Sequence, residues 1–165
     1  MTEFETKVNT LLTRIANELN ARGWRMATAE YCTGGWIAKC CTDMAGSSGW
    51  FDRAYVTYSY RAKEQMLGVS NHDLVKHGAV SEEIARQMAI GAKNHSKVAV
   101  TVSATGIAGP GGGMAGKPVG LVHFGWCIGS NTVSCDAAVF EGDRNSVRQQ
   151  TVLHGLQGIL QRLDT

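Results

Sequence analysis

Apolar positions along the chain recur with two different periods. Phe4, Val8, Leu11, Leu12, Ile15 and Leu19 fall at helical spacing between polar residues, and Gly23 stands where a C-cap glycine would end the run. This predicts an amphipathic first helix. Residues 25–30 read as a short strand, 36–44 as a helix after a glycine pair, and 54–59 (AYVTYS), β-branched and aromatic, as another strand with residues 61–67 helical behind it. Residues 71–77 predict a short helix closed by Gly78. Ser81 caps a longer one with Glu82 and Glu83 in its first turn and Ile84, Met88 and Gly91 or Ala92 as its core stripe.

Residues 97–103 (KVAVTVS) form a nearly continuous apolar run, as a strand buried on both faces would. Strands over 119–128 and 132–140 flank Gly129, Ser130 and Asn131, which is hairpin punctuation. Asp143 then opens a final helix carrying Val147, Thr151, Leu156, Ile159, Leu160 and Leu163. Strands alternate with helices and a hairpin follows, so the expected α/β fold packs helices on both faces of a mixed, mostly parallel sheet with one antiparallel member. No internal repeat, linker or low-complexity tract interrupts it.

The 165 residues suit one domain able to bury its own core. Hydrophobic content of 44% with 18% charge argues for a globular chain rather than a disordered one. Net charge is +2 and the 16 basic residues are scattered, so the footprint of a nucleic-acid binder is missing. No stretch approaches the ~20 apolar residues of a membrane span, and the first residues, MTEFETKVNT, carry no apolar targeting core. A cytoplasmic location is expected. Cys32, Cys40, Cys41, Cys127 and Cys135 form no C-x-x-C pair; Cys127 and Cys135 could face each other across the hairpin, but reduced core thiols are the preferred reading. The five histidines sit apart, so no metal site is expected.

Candidate chemistry concentrates where strands end. TGIAGPGGGMAGKPVG, residues 105–120, holds seven glycines and two prolines after a buried strand. Such a loop lets backbone amides converge on an anion, a phosphate or carboxylate, although a flexible turn is the plain alternative. It is neither a Walker sequence nor a G-x-G-x-x-G opening. Three loops, after Glu30, after Tyr58 and Ser59, and after Ser103, would gather at the carboxyl ends of the strands, where open α/β sheets bind ligands. Arg144 would lie at the last helix's N-terminus, within reach of an anion. Lys63 is a general base if desolvation lowers its pKa, and a solvated lysine otherwise. Ser48, in AGSSGWF, is a nucleophile or a helix cap.

Taken together, TAEYCTGGW, AGSSGWF, VTYSYRAK, LGV, HGAVS, TGIAGPGGG, KPVG and FEGDR resemble the CinA C-terminal domain family, the nicotinamide mononucleotide deamidases, over about residues 5 to 163. The resemblance implies a single three-layer α/β/α domain that hydrolyses the carboxamide of nicotinamide mononucleotide to nicotinate mononucleotide and ammonia. It further implies a Ser/Lys mechanism without metal or cofactor, a small nucleotide as partner, and a homodimer. Carried over by position, Lys63 would be the base, with Tyr58 and Ser48 assisting. Glu30, Thr33, Gly34 and Gly35 would shape the first substrate-binding loop, Thr105, Gly106, Ala108 and Gly109 the second, and Arg144 would take the phosphate.

Two positions depart from the family pattern. The first motif, A-E-S-C-T-G-G, has Tyr31 in place of its serine, the family nucleophile position, and Y-S-N-x-x-K has Tyr60 in place of asparagine. A phenol of pKa about 10 is bulkier than a serine hydroxymethyl and mostly protonated at neutral pH. Ser48 or Cys32 could serve as nucleophile instead. The other reading is a catalytically inactive nucleotide-binding or regulatory module.

Overall fold

The structure, a computed structural model in which residues 1–164 are described, begins with a capping box. The Glu5 amide donates to Thr2 Oγ1 (3.1 Å) and the Thr2 amide to Glu5 Oε2 (2.7 Å), which starts helix α1, Glu3–Arg22. There follow β1 (Met26–Glu30), α2 (Trp36–Asp43), β2 (Phe51–Val56), α3 (Tyr60–Leu67), α4 (Asn71–His77) and α5 (Glu82–Ser96). Strands β3 (Val100–Gly106), β4 (Leu121–Ile128) and β5 (Val133–Val139) precede α6 (Arg144–Leu163). The sheet order is β2-β1-β3-β4-β5, with β1 parallel to both neighbours and β4 antiparallel to β3 and β5. β4 is therefore the one strand that runs against the rest, as expected.

Strand alternation sorts the core onto two faces. Met26, Val100, Val102, Ala104, Val122, Phe124 and Trp126 pack with α1, α2 and α6, while Ala29 joins Leu67, Leu74, Ile84 and Met88 beneath α3, α4 and α5. The polar residues of β3 point to this second face, where their hydroxyls close on main-chain carbonyls. Thr101 donates to Ala89 O (2.9 Å), Ser103 to Ala85 O (2.6 Å) and Thr105 to Ala79 O (2.7 Å). Buried hydroxyls so satisfied cost little, which lets the strand be buried throughout.

The strands lie a few residues from where composition puts them. The expected strand over 54–59 is instead Phe51–Val56: Asp52 and Arg53 belong to it because β2 is an edge strand, and Ser59 leaves it because its hydroxyl caps α3 by accepting from the Ala62 amide (3.0 Å). Lys97, expected in β3, is the left-handed C-cap of α5. Cys127 opposes Val133, and Cys135 opposes Gly125, so the two thiols are diagonal neighbours rather than a facing pair. Both are free.

Candidate active site

Glu30 ends β1 fully buried, with all its acceptor capacity engaged. Its Oε1 accepts from Thr33 Oγ1 (2.6 Å) and the Ile37 amide (2.9 Å), and its Oε2 from Thr28 Oγ1 (2.8 Å) and the Ala38 amide (3.0 Å). A carboxylate at the first turn of α2 satisfies amides that have no intrahelical partner and complements the helix dipole. Gly34 and Gly35, at φ +61° and +99°, make the sharp turn between strand and helix in a conformation costly for other residues. The loop is clamped from outside by Arg148, whose Nε donates to Cys32 O and Nη2 to Thr33 O, each at 3.0 Å, with the guanidinium over Trp36.

Tyr31, one residue along, faces the other side of the sheet. Its ring packs against Tyr58, with centroids 4.9 Å apart and planes tilted by 55°. Beneath it lies Lys63, on α3, completely buried, with Nζ 3.8 Å from the Tyr31 ring centroid and donating to Thr57 O (2.8 Å). Burial pushes the Lys63 amine down to about 8. The Tyr31 phenol is raised above its ordinary value, chiefly by burial and then by the neighbouring Tyr58.

Above these residues opens a cleft of about 300 Å³. Tyr31, Tyr58 and Tyr60, the glycine loop from Gly106 to Gly112, Arg144 and Lys117 line it. Arg144, the first residue of α6, donates through Nη1 to Gly109 O (2.8 Å) and through Nη2 to the Tyr58 hydroxyl (3.3 Å). Lys117 donates to the carbonyl of His77 at the end of α4. Glycine loop, β1 loop and β2 loop thus meet at the carboxyl ends of β3, β1 and β2. A larger groove of about 510 Å³ between α1 and α2 contains none of the candidate residues.

Of the residues singled out in the sequence, Tyr31, Tyr58, Gly106, Ala108, Gly109 and Arg144 line this cleft, and Lys63 lies under it. Ser48 does not. It sits in the short turn before β2, where its carbonyl accepts from Arg25 Nη1 (2.7 Å), at the amino end of the sheet. Six residues of β2 at ~3.3 Å each put roughly 20 Å between that end and the cleft, which rules out both assistance and nucleophilic attack by its hydroxyl.

Glu30 also leaves the binding set, because its carboxylate is spent on the loop. Thr33, Gly34 and Gly35 line a separate shallow hollow beside Arg148, and Thr105 is turned away to Ala79. Cys32 reaches the cleft wall, but burial pushes its thiol up to about 12, which removes the thiolate. Thr57, adjacent to Lys63 and buried, is not on the cleft wall.

Two cations at the site, Arg148 and Lys117, are not among the candidates read from the sequence. Arg148 lies one helical turn beyond Arg144, a spacing that could have pointed to it; Lys117 stands in the KPVG motif, the signal that was available there.

Comparisons with known proteins identify the chain's relatives. The nicotinamide-nucleotide amidohydrolase PncC of Enterobacter agglomerans is 47% identical over 156 residues, covering 94% of this chain and 95% of that protein. PncC of Escherichia coli (strain K12) is 45% identical over 158 residues, covering 96% of each. Among solved structures, the competence/damage inducible protein CihA from Agrobacterium tumefaciens has a TM-score of 0.94 at 42% identity, covering 100% of both chains. A competence-damaged protein (CinA) superfamily protein from Escherichia coli has a TM-score of 0.91 at 33% identity, covering 98% of this chain and 93% of that one. Since the model of the CinA C-terminal domain matches residues 8–163 and these relatives match nearly from end to end, the chain belongs to the CinA C-terminal domain family.

Proposed function

We propose that the cleft takes nicotinamide mononucleotide, the substrate the family resemblance implies and one consistent with the nicotinamide nucleotide named in the PncC relatives, and that deamidation by this chain is impaired because Tyr31 occupies the nucleophile position. The single observation carrying this reading is the Tyr31 ring lying 3.8 Å from Lys63 Nζ, where a hydroxyl would have to stand to pass its proton to the amine. With a serine there, the hydroxyl oxygen attacks the amide carbon, Lys63 takes the proton, and the amine returns it to the leaving nitrogen as ammonia departs; water then releases the acid. Glycine-loop amides are suited to hold the oxyanion. The cleft volume of about 300 Å³ fits a small nucleotide rather than a nucleic-acid strand.

Loss of a nucleophile leaves an acceleration of roughly 10³–10⁴ from the remaining site, and a ring blocking the base removes more. Ammonia release by the purified chain and its Tyr31→Ser variant tests this. The variant is expected to gain at least about 100-fold, and the gain should vanish when Lys63→Ala is added. Equal turnover by the parent and the Tyr31→Ser variant overturns the reading.

A further inference from the structure

The cleft's lining contains no carboxylate. Arg144 bonds only to a carbonyl and a phenol, Lys117 to a carbonyl, and neither pairs with an acidic side chain among the described residues. Two uncompensated cations facing one small cavity favour a doubly charged anion such as a phosphomonoester. The lining is also aromatic: Tyr31, Tyr58 and Tyr60 are three of the four tyrosines in the chain, and Tyr58 and Tyr60 remain 58% and 42% exposed. The glycine loop adds Gly106, Gly109, Gly111 and Gly112 to the same lining, with open space where a Cβ would stand at Gly111, so the aromatic rings are the largest side chains available to a flat ring there. No side-chain carboxylate or carboxamide stands in this lining to select a ring carboxamide over a carboxylate. The buried amine that could serve an amide is covered by Tyr31 and held by Thr57 O.

We infer that the tyrosines make the cleft a stacking site for single-ring heteroaromatic 5′-monophosphates, held by ring and phosphate and indifferent to whether the ring bears a carboxamide or a carboxylate. The inference rests on the reading that the cleft takes a mononucleotide, and it extends that reading from one substrate to a ligand class. Tyr31 and Tyr60, the two departures from the family motifs, then act together: one covers the base while both supply stacking surface.

Calorimetric titration of the intact chain at fixed ionic strength, with nicotinamide mononucleotide, nicotinate mononucleotide, uridine 5′-monophosphate and ribose 5-phosphate, tests it. The two pyridine nucleotides should bind within about 3-fold of each other, and ribose 5-phosphate at least about 5-fold more weakly, as stacking on an aromatic side chain is worth that much or more. Tyr31→Ala should weaken nucleotide binding about 5- to 100-fold and leave ribose 5-phosphate unchanged, while Tyr31→Phe stays within about 2-fold of the parent. Tyr60→Asn, at an exposed ring, gives a second reading that does not depend on the buried part of the site.

Ribose 5-phosphate binding as tightly as the nucleotides, uridine 5′-monophosphate binding no better than ribose 5-phosphate, or selection of the amide over the acid by more than about 10-fold each overturns the inference while leaving the mononucleotide reading standing. Absence of binding by every probe overturns both.

Discussion

Replacing Glu30 by Gln tests the claim that this carboxylate builds the loop rather than binding ligand. Each carboxylate oxygen receives one hydroxyl and one main-chain amide: Thr33 and Ile37 on Oε1, Thr28 and Ala38 on Oε2. Glutamine keeps the shape but must put its NH₂ in one of these two places. A threonine hydroxyl can rotate to accept from that nitrogen, but the peptide N–H beside it cannot. Whichever way the amide is turned, one buried main-chain donor faces another donor, and that unpaired group costs about 1–3 kcal/mol. The remaining bonds lose their charge assistance and the favourable charge at the start of α2, which brings the total to about 2–4 kcal/mol. For a chain of this size that corresponds to a fall in melting temperature of about 5–15 °C. Thermal unfolding followed by circular dichroism measures the fall, and hydrogen exchange at Ile37 and Ala38 locates it. Melting within about 2 °C of the parent, with both amides still protected, would refute the argument.

Two further outcomes follow from burial alone. Lys63 is depressed from 10.5 to about 8, so the unfolded chain holds more protons than the folded one between those values, and stability contributed at this site rises with pH across the window. In denaturant titrations the parent should therefore gain on a Lys63→Met variant between pH 8 and 10, since the thiols and phenols are common to both chains; a constant difference would contradict the assignment. At Gly158 an added Cβ would lie 2.2 Å from Trp126 Cζ2, and Trp126 is fixed by its bond to Gly155 O (3.0 Å) and its stacking on Phe124. Gly158→Ala should destabilise by about 1–3 kcal/mol in thermal or urea unfolding despite a better helix former in α6, and an unchanged or higher stability would show that the ring can yield.

What could be read from the sequence divides by the range of the interaction that sets it. α4 is predicted at its observed bounds because Ser70 and Gly78 close it within the segment itself. β2 is displaced because its limits depend on pairing with β1: Phe51 to Val56 lie opposite Met26 to Glu30, and β-rich composition continuing past Val56 has no ladder to join beyond the Thr57 amide bond to Glu30 O. At the site, loops following parallel strands had to meet, which made Tyr31, Tyr58, Gly109 and Arg144 legible together. Ser48 lies away from the cleft because AGSSGWF enters β2 rather than leaving it, which puts it at the amino end of the sheet. Arg148 and Lys117 bond to main-chain carbonyls of Cys32, Thr33 and His77, far away in sequence, so beyond the spacing from Arg144 and the KPVG motif the sequence carries no sign of what they hold.

The adjacency of Glu30 and Tyr31 explains how a site of this kind changes while its fold stays. Successive side chains on a strand point to opposite faces, so Glu30 organises α2 on one side of the sheet while Tyr31 meets Lys63 and Tyr58 on the other. The loop's hydrogen bonds involve Glu30, Thr33 and Arg148, and none of them passes through the side chain at 31. A phenol there is compatible with the whole framework. It also contributes to stability: a ring packed on Tyr58 is worth about 0.5–1.5 kcal/mol beyond its area, and it covers a buried amine that a smaller residue would leave beside open space. On the proposed function, a serine at 31 would expose Lys63 to substrate and give up that packing, as active sites commonly exchange stability for reactivity. On that reading Tyr31 makes the opposite exchange: the ring that packs on Tyr58 is also the one that covers Lys63.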